Sequence, residues 1–341
     1  MESGGRDIFY FKGLKGTTAR GLSAIQGLTF RRHLMRDEDL RRSNNIEDRR
    51  GGGGGSFGGG GGPRFPIRGG GGIGMIIVVV LLLIFGGGGS LTGLLGGADG
   101  VSSQQGGFQG EQVASEGVDK AASRNQTEAR TADRVSAVLA STEDFWTASF
   151  KSKNMTYPPP TLVLFNGQTS SPCGTASGAT GPFYCPGDKK IYLDMSFFEE
   201  MDRGLGASGD FAQAYVIAHE VGHYVQDVLE ILPQANQAMR RRGQNKGAES
   251  VAVRLELQAD CFAGLWAAKS TITATLEPGD LEEALGAASA VGDDRLQKRA
   301  QGYAVPDSFT HGTSEQRARW FMVGVRGADI SVCDTFAARE L

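Results

Sequence analysis

The 341-residue sequence predicts an α+β chain, mainly helical with a small sheet, behind one transmembrane helix. Three observations carry that prediction. Apolar residues recur at helical spacing through the C-terminal half, as in Phe211 to Leu229 and again at Leu257, Phe262, Leu265 and Trp266. Two short apolar runs, Thr161–Phe165 and Lys190–Met195, have the length of strands, and the first is closed by Asn166-Gly167. Residues 73–95 carry no charge and centre on the run Ile76 to Phe85.

The chain divides into four parts on this reading. Residues 1–72 form a basic, Gly-rich segment, disordered and cytoplasmic, in which the glycines of 51–72 make a flexible linker with no packed core. Residues 73–95 form the transmembrane helix. Its weakness is glycine, since Gly86 to Gly89 could end the helix early, and a cleaved signal-peptide core is the competing reading. Against cleavage, no clear A-x-A site follows, and the basic stretch ahead is far longer than a signal peptide uses. Residues 96–118, rich in Gly, Gln and Ser, form a second linker, and residues 119–341 form one folded domain of ample size for a single core.

Charge orients the span. Arg41, Arg42, Arg49, Arg50, Arg64 and Arg68 precede it, while Asp99 and Glu111 follow it before the first lysine, Lys120. The expected protein is a single-pass protein of the inner (cytoplasmic) membrane, with its N-terminus in the cytoplasm and its folded domain in the periplasm or cell exterior. A basic flank beside anionic lipid accounts for the arginines, and the net charge of −3 gives no reason to expect a nucleic-acid partner. Nothing in the sequence sets an oligomeric state.

Within the folded part, Val135, Val138, Leu139, Phe145 and Trp146 predict an amphipathic helix from near Arg124 to about Phe150. The two strands follow, then helices at about 209–229, 233–242, 247–269, 278–301 and 313–325, with no internal repeat. All four cysteines lie beyond the span, in what would be an oxidising compartment. Cys173 and Cys185 bracket a loop rich in Gly, Pro, Ser and Thr, which favours pairing them and leaves Cys261 for Cys333. Four cysteines allow three pairings, and a buried thiol at Cys261 is the plainer alternative.

The chemistry lies in His219-Glu220-Val221-Gly222-His223. On a helix, H-E-x-x-H sets two imidazoles one turn apart with a carboxylate beside them, the arrangement of a zinc site with its own base. A tetrahedral zinc then lacks a third protein ligand. Glu256 is the best candidate, on a helical stretch where Asp260 falls one turn further along the same face. Asp260 could accept the free ring N–H of a ligating histidine and fix its tautomer. The bland alternative is a solvated acidic face.

HEVGH, followed by LELQADCFAG and then HGTSEQRARWF, resembles the neutral zinc metallopeptidases of bacteria. The resemblance runs from about Met35, where RRSNNIEDRRG looks like the family's opening, to near the C-terminus. Residues 1–34 fall outside it, so Met35 reads as an alternative start. The E-x-x-A-D element also resembles that of membrane-associated gluzincins. The resemblance implies a zincin-like metalloprotease domain, Zn2+ held by His219, His223 and Glu256, Glu220 as general base, and a peptide or protein substrate.

Zinc at such a site brings the pKa of water down to about 7 and polarises a carbonyl, and Glu220 would take the water's proton and return it to the leaving amine. His311, Tyr303 and Tyr224 are candidates for stabilising the oxyanion. His311 is favoured because it opens HGTSEQR, although Thr313 and Gln316 form a capping-box pattern that would make it a helix-entry residue instead. Tyr224 reads better as a packed aromatic. By analogy with zincins, the strand Lys190–Met195 is expected to pair with substrate backbone. Two other functions stay open: an inactive zincin fold serving as a scaffold, and a zinc hydrolase of non-peptide amides or esters, since the same water attacks any polarised carbonyl.

Overall fold

Short apolar strands with β-branched and aromatic residues make the sheet, and its order departs from the expectation. The computed structural model describes residues 36–50, 112–242 and 245–341. Its sheet joins β1 (Ile46–Asp48), β2 (Thr161–Phe165), β5 (Phe183–Cys185) and β6 (Lys190–Asp194) in the order β1-β2-β6-β5. β2 and β6 run parallel, with Leu162 opposite Ile191, while β5 runs antiparallel to β6, with Tyr184 opposite Ile191. β6 is therefore bonded on both sides and has no free edge for a substrate. Of the two edge strands, β5 adjoins the site described below. A separate hairpin, β3 (Gln168–Ser171) and β4 (Gly174–Ser177), leads into β5.

The first strand corrects the division of the chain. Residues 36–50 belong to the same compact unit as the rest of the described fold, not to a free tail. Ile46 pairs with Leu162 across β1 and β2. The preceding arginines are used in docking. Arg41 bonds Glu143 at 2.8 Å, Arg42 makes a two-point contact with Asp133, and the buried Ser43 hydroxyl donates to Glu143 at 2.6 Å. Arg49 and Lys190 share Glu47. Arg41, Arg42, Arg49 and Arg50, counted as a cytoplasmic flank, thus have partners in the fold, while Arg64 and Arg68 lie outside the described residues.

α1 spans Gln112–Ser152, longer than its periodicity suggested and reaching into the expected linker of 96–118. Its first turns, QVASEGVDKAAS, carry no apolar stripe to read. α2 (Ser196–Glu200), α3 (Asp210–Val228), α4 (Ile231–Arg242) and α5 (Val251–Lys269) follow. The expected helix at 278–301 is two helices, α6 (Asp280–Ala290) and α7 (Asp293–Gln301). The break falls at Gly292, where a Cβ would lie 2.3 Å from the Ser314 nitrogen. α8 (Ser314–Arg326) closes the fold, started by the capping box of Thr313 and Gln316.

α3, α5 and α8 form the centre of the helical layer, and glycine sets their spacing. A Cβ on Gly264 of α5 would lie 2.0 Å from the Phe321 carbonyl oxygen, and one on Gly324 of α8 would lie 2.0 Å from that of Cys261. The two backbones touch there. Gly222 lets α3 approach Ala259 of α5 in the same way. Phe211, Trp266, Phe262 and Trp146 fill the core around these crossings.

The structure joins Cys173 to Cys185 and Cys261 to Cys333. The expected transmembrane run, residues 73–95, lies outside the described residues. Among those described, no helix is long and apolar enough to cross a membrane.

Candidate metal centre

α3 is apolar almost all round and buried on every side, which carries His219, Glu220 and His223 inside the protein. α5, started by Ser250 accepting from the Val253 N–H, brings Glu256 and Asp260 against it. His219, His223 and Glu256 each offer one ligand atom, and these atoms lie within 4.8 Å of one another. His219 Nε2 is 3.3 Å from one Glu256 oxygen, and His223 Nε2 is 3.6 Å from the other.

These spacings fit a metal. Ligands at about 2.1 Å around a tetrahedral zinc stand about 3.4 Å apart. Burial makes the same point, because His223 Nε2, Glu256 Oε1 and Glu220 Oε2 are buried polar atoms without a hydrogen-bond partner. Such atoms are costly unless something else satisfies them. Two imidazoles and one carboxylate are the donor set that suits zinc.

The ring nitrogens facing away from the site are held. His219 Nδ1 is 2.8 Å from Asp260 Oδ1. Asp260 is fully buried and is gripped by Arg317, whose Nε and Nη2 each donate to it at 2.9 Å. Tyr215 donates its hydroxyl to the same carboxylate. Burial opposes the charge on Asp260, but Arg317 and His219 keep its pKa below the ordinary carboxylate value. His223 Nδ1 instead meets Gln226 Oε1 at 2.9 Å.

Glu220 and Glu256 are pushed in opposite directions. Burial raises the pKa of Glu220 against the pull of His223 and His219. Glu256 meets the same burial, yet the two histidines hold it well below its ordinary value. Carboxylates with pKa values driven apart suit different tasks, one binding cations and the other exchanging protons. Where its ring carries no metal, burial resists protonation of His219, but Asp260 and Glu256 prevail and lift it to about 9.

A cavity of about 80 Å³ opens beside these groups, lined by His219, Glu220, Glu256, His311 and Arg317 among others. Its other wall is apolar, with Phe197, Leu205, Val216 and Leu296. His311 enters because Asp293, at the start of α7, accepts from the backbone N–H groups of Thr310, His311 and Gly312. The other Asp293 oxygen is 2.9 Å from His311 Nδ1. The break at Gly292 makes that grip possible, and the capping box that follows coexists with it.

The two tyrosines considered with His311 do not reach the cavity. Tyr303 is 62% exposed, and Tyr224 spends its hydroxyl on the Pro158 carbonyl while packing against Tyr157 and Tyr184. Sequence reasoning missed Asp293, Arg317, Tyr215, Gln226 and Gln258. Gln226 could have been found, since it stands three residues beyond His223 on the same helical face. So could Tyr215, one turn before His219 on α3; Gln258 sits on α5 between Glu256 and Asp260, while Asp293 and Arg317 come from distant segments that only the fold brings together.

A buried two-histidine, one-carboxylate centre with a second carboxylate at its side, on two packed helices, is a site that could hold a metal ion. The chain belongs to the family described as "Putative neutral zinc metallopeptidase", whose model matches residues 35–336. It is similar to "Uncharacterized protein YpfJ" of Escherichia coli K12, 48% identical over 246 residues, covering 72% of this chain and 80% of that relative. It is also similar to "Uncharacterized protein Rv2575" of Mycobacterium tuberculosis H37Rv, 45% identical over 196 residues, covering 54% of this chain and 65% of that relative. No solved structure matches significantly.

Proposed function

We propose that this protein is a zinc-dependent peptidase whose metal is held by His219, His223 and Glu256 and whose general base is Glu220. The observation that carries this reading is the trio of buried, unpartnered atoms on Glu220, His223 and Glu256, with Glu220, Glu256 and His219 lining one cavity. Zinc, when bound, supplies polarisation of a carbonyl and activation of water. The remaining work falls to the chain. Glu220, its pKa raised by burial, takes a proton from the attacking water and hands it to the leaving amine. His311, fixed by Asp293, presents its other ring nitrogen as a donor to charge developing on the carbonyl oxygen.

β5, an edge strand beside the cavity, is where an extended substrate backbone would align. Gly181 and Pro182, just ahead of that strand, line the cavity, and the backbone of Tyr184 within it bonds Glu220. An edge strand offers backbone groups to a peptide, and that favours a peptide over a non-peptide amide or ester. The apolar wall of Phe197, Leu205, Val216 and Leu296 would take a side chain of the bound peptide.

For location, we propose membrane association through residues 73–95, with the two disulfides favouring an oxidising compartment for the catalytic body. The docked β1 changes the topology. Residues 36–50 and the catalytic body lie on one side whenever β1 is in the sheet, so an apolar run between them does not make a single crossing. Reporter fusions or cysteine labelling at positions near residue 40 and near the C-terminus should show both on the outer face; a cytoplasmic N-terminal position would overturn this topology.

The activity test uses the full-length chain, zinc-loaded, on unfolded casein, a peptide library and small ester substrates. Mass spectrometry should find cleaved peptide bonds that vanish with a chelator and in Glu220→Gln. A metal-loaded chain that cleaves esters but no peptide would move the reading to the non-peptide hydrolase. One that cleaves nothing would favour a scaffold.

A further inference from the structure

His223 is held by a row of neutral amides that ends at a disulfide-bonded stretch of backbone. Its Nδ1 faces Gln226 Oε1 at 2.9 Å. Gln226 Nε2 donates to the Leu255 carbonyl at 2.7 Å and to Gln258 Oε1 at 3.1 Å. Gln258 Nε2 in turn donates to the Cys333 carbonyl at 2.9 Å. Cys333 is bonded to Cys261, which stands three residues beyond Gln258 on α5. Gln226 is fully buried, and Gln258 is 5% exposed.

Each amide in this row has one permitted sense. A carbonyl only accepts, so Gln258 must turn its NH2 to Cys333, which leaves its oxygen for the NH2 of Gln226. The Leu255 carbonyl demands the same sense of Gln226 independently. Gln226 is then bound to show His223 an oxygen, and His223 must answer with a proton on Nδ1. In the neutral ring the lone pair is thereby placed on Nε2, the atom 3.6 Å from Glu256. A histidine with its proton on Nε2 would meet this row oxygen to lone pair.

We propose that Gln226 and Gln258 are positioning residues that transmit the place of the Cys333 carbonyl, held by the Cys261–Cys333 disulfide, to the ring of His223. They keep its Nε2 lone pair turned into the metal site, so the disulfide sets how tightly metal is held. This rests on the metal-site reading above. Arg254 donates to the carbonyls of Thr335 and Ala338, so the C-terminal segment keeps part of its hold when the disulfide is removed. The disulfide effect is accordingly the smaller one.

The test has two readouts on the full-length chain. The tautomer of His223 is read by 15N NMR of the histidine-labelled, metal-free protein, where only four histidines contribute signals. Zinc affinity is read by competition with a chromophoric chelator. The wild type should show His223 protonated on Nδ1. Gln226→Leu should mix the tautomers and weaken zinc about 10–100-fold. Gln258→Leu and the pair Cys261→Ala with Cys333→Ala should each weaken zinc by less.

The decisive comparison is the cysteine pair placed in the Gln258→Leu background. With the relay already cut, it should add little further loss, because coupled sites are non-additive. An equal loss in both backgrounds would overturn the proposal, as would an unchanged tautomer in Gln226→Leu. Should the Leu variant fold poorly, Gln226→Glu keeps the acceptor and should keep the Nδ1 proton. A wild type that holds no zinc sinks the peptidase reading, while the metal-free tautomer still judges the relay.

Discussion

His219 and His223 stand one turn apart on α3, yet the protein braces them by opposite means. Behind His219 are charges: a fully buried Asp260 gripped at two points by Arg317 and touched by Tyr215. Behind His223 are neutral amides, Gln226 and then Gln258, ending on backbone carbonyls. A carboxylate makes its histidine a more basic ligand, at the risk that either partner alone is a buried charge. An amide row sets direction and tautomer without moving charge. One site thus has an electrostatic side and a geometric side, and they should fail differently.

The largest expected effect breaks the charged side. Arg317→Met leaves Asp260 buried without its cation, and the metal-free chain should lose about 3–5 kcal/mol in urea unfolding. A loss under 1 kcal/mol would mean that the ionic brace is not holding the helices together. Gly264→Ala attacks the same side from a distance. Its methyl must displace the backbone of α8 near Phe321, which should cost about 1–3 kcal/mol or more and pull Arg317 away from Asp260. Zinc affinity should fall along with stability.

Gln226→Leu tests the geometric side. Its cost in stability should be about 1–3 kcal/mol, below that of Arg317→Met, because no charge is stranded. Stability equal to or worse than Arg317→Met would erase the contrast.

The smallest effects are in pH and separate the braces most cleanly. The pKa of Asp260 is depressed in the fold, so its contribution is present above about pH 4 and is lost as pH falls through the folded value. The stability gap between wild type and Asp260→Asn should therefore narrow from pH 7 to pH 3, while the gap for Gln226→Leu should not narrow on its own account. His311 behaves in the reverse sense. Burial resists its charge but Asp293 raises its pKa, so its contribution is full below about pH 6.5 and is lost as pH rises through the folded value. Melting of the metal-free wild type should drop by a few °C on the alkaline side, where His219 loses its contribution as well, and His311→Gln should reduce that drop.

The charged side was partly legible in the sequence, and the amide side was not. His219, His223, Glu256 and Asp260 announce themselves by one-turn spacing on two apolar helices. Arg317 lies in a segment that resemblance marked, but nothing in its spacing says which carboxylate it meets. Gln226 and Gln258 carry no charge and read as ordinary polar positions, and only the spacing of Gln226 from His223 offered a hint. Asp293 was hidden inside an expected continuous helix, because Gly292 breaks that helix for a packing reason, the closeness of Ser314, that sequence periodicity does not express.

The same limit explains the sheet. Thr161–Phe165 and Lys190–Asp194 are apolar enough to read as strands. β1 is only three residues, Ile46–Asp48, set among arginines that look like a membrane flank until their partners Asp133 and Glu143 are seen. With β1 and β5 supplying the edges, the expected substrate strand became an interior one.

The most direct test of the account is the zinc content of the full-length chain, purified oxidised without added metal, for wild type, Glu256→Ala, His223→Ala and Glu220→Gln. The account predicts about one zinc per chain in wild type and Glu220→Gln, none in the two ligand variants, and loss of peptide hydrolysis by at least about 100-fold in Glu220→Gln. Full zinc in Glu256→Ala, or an empty wild type, would contradict it.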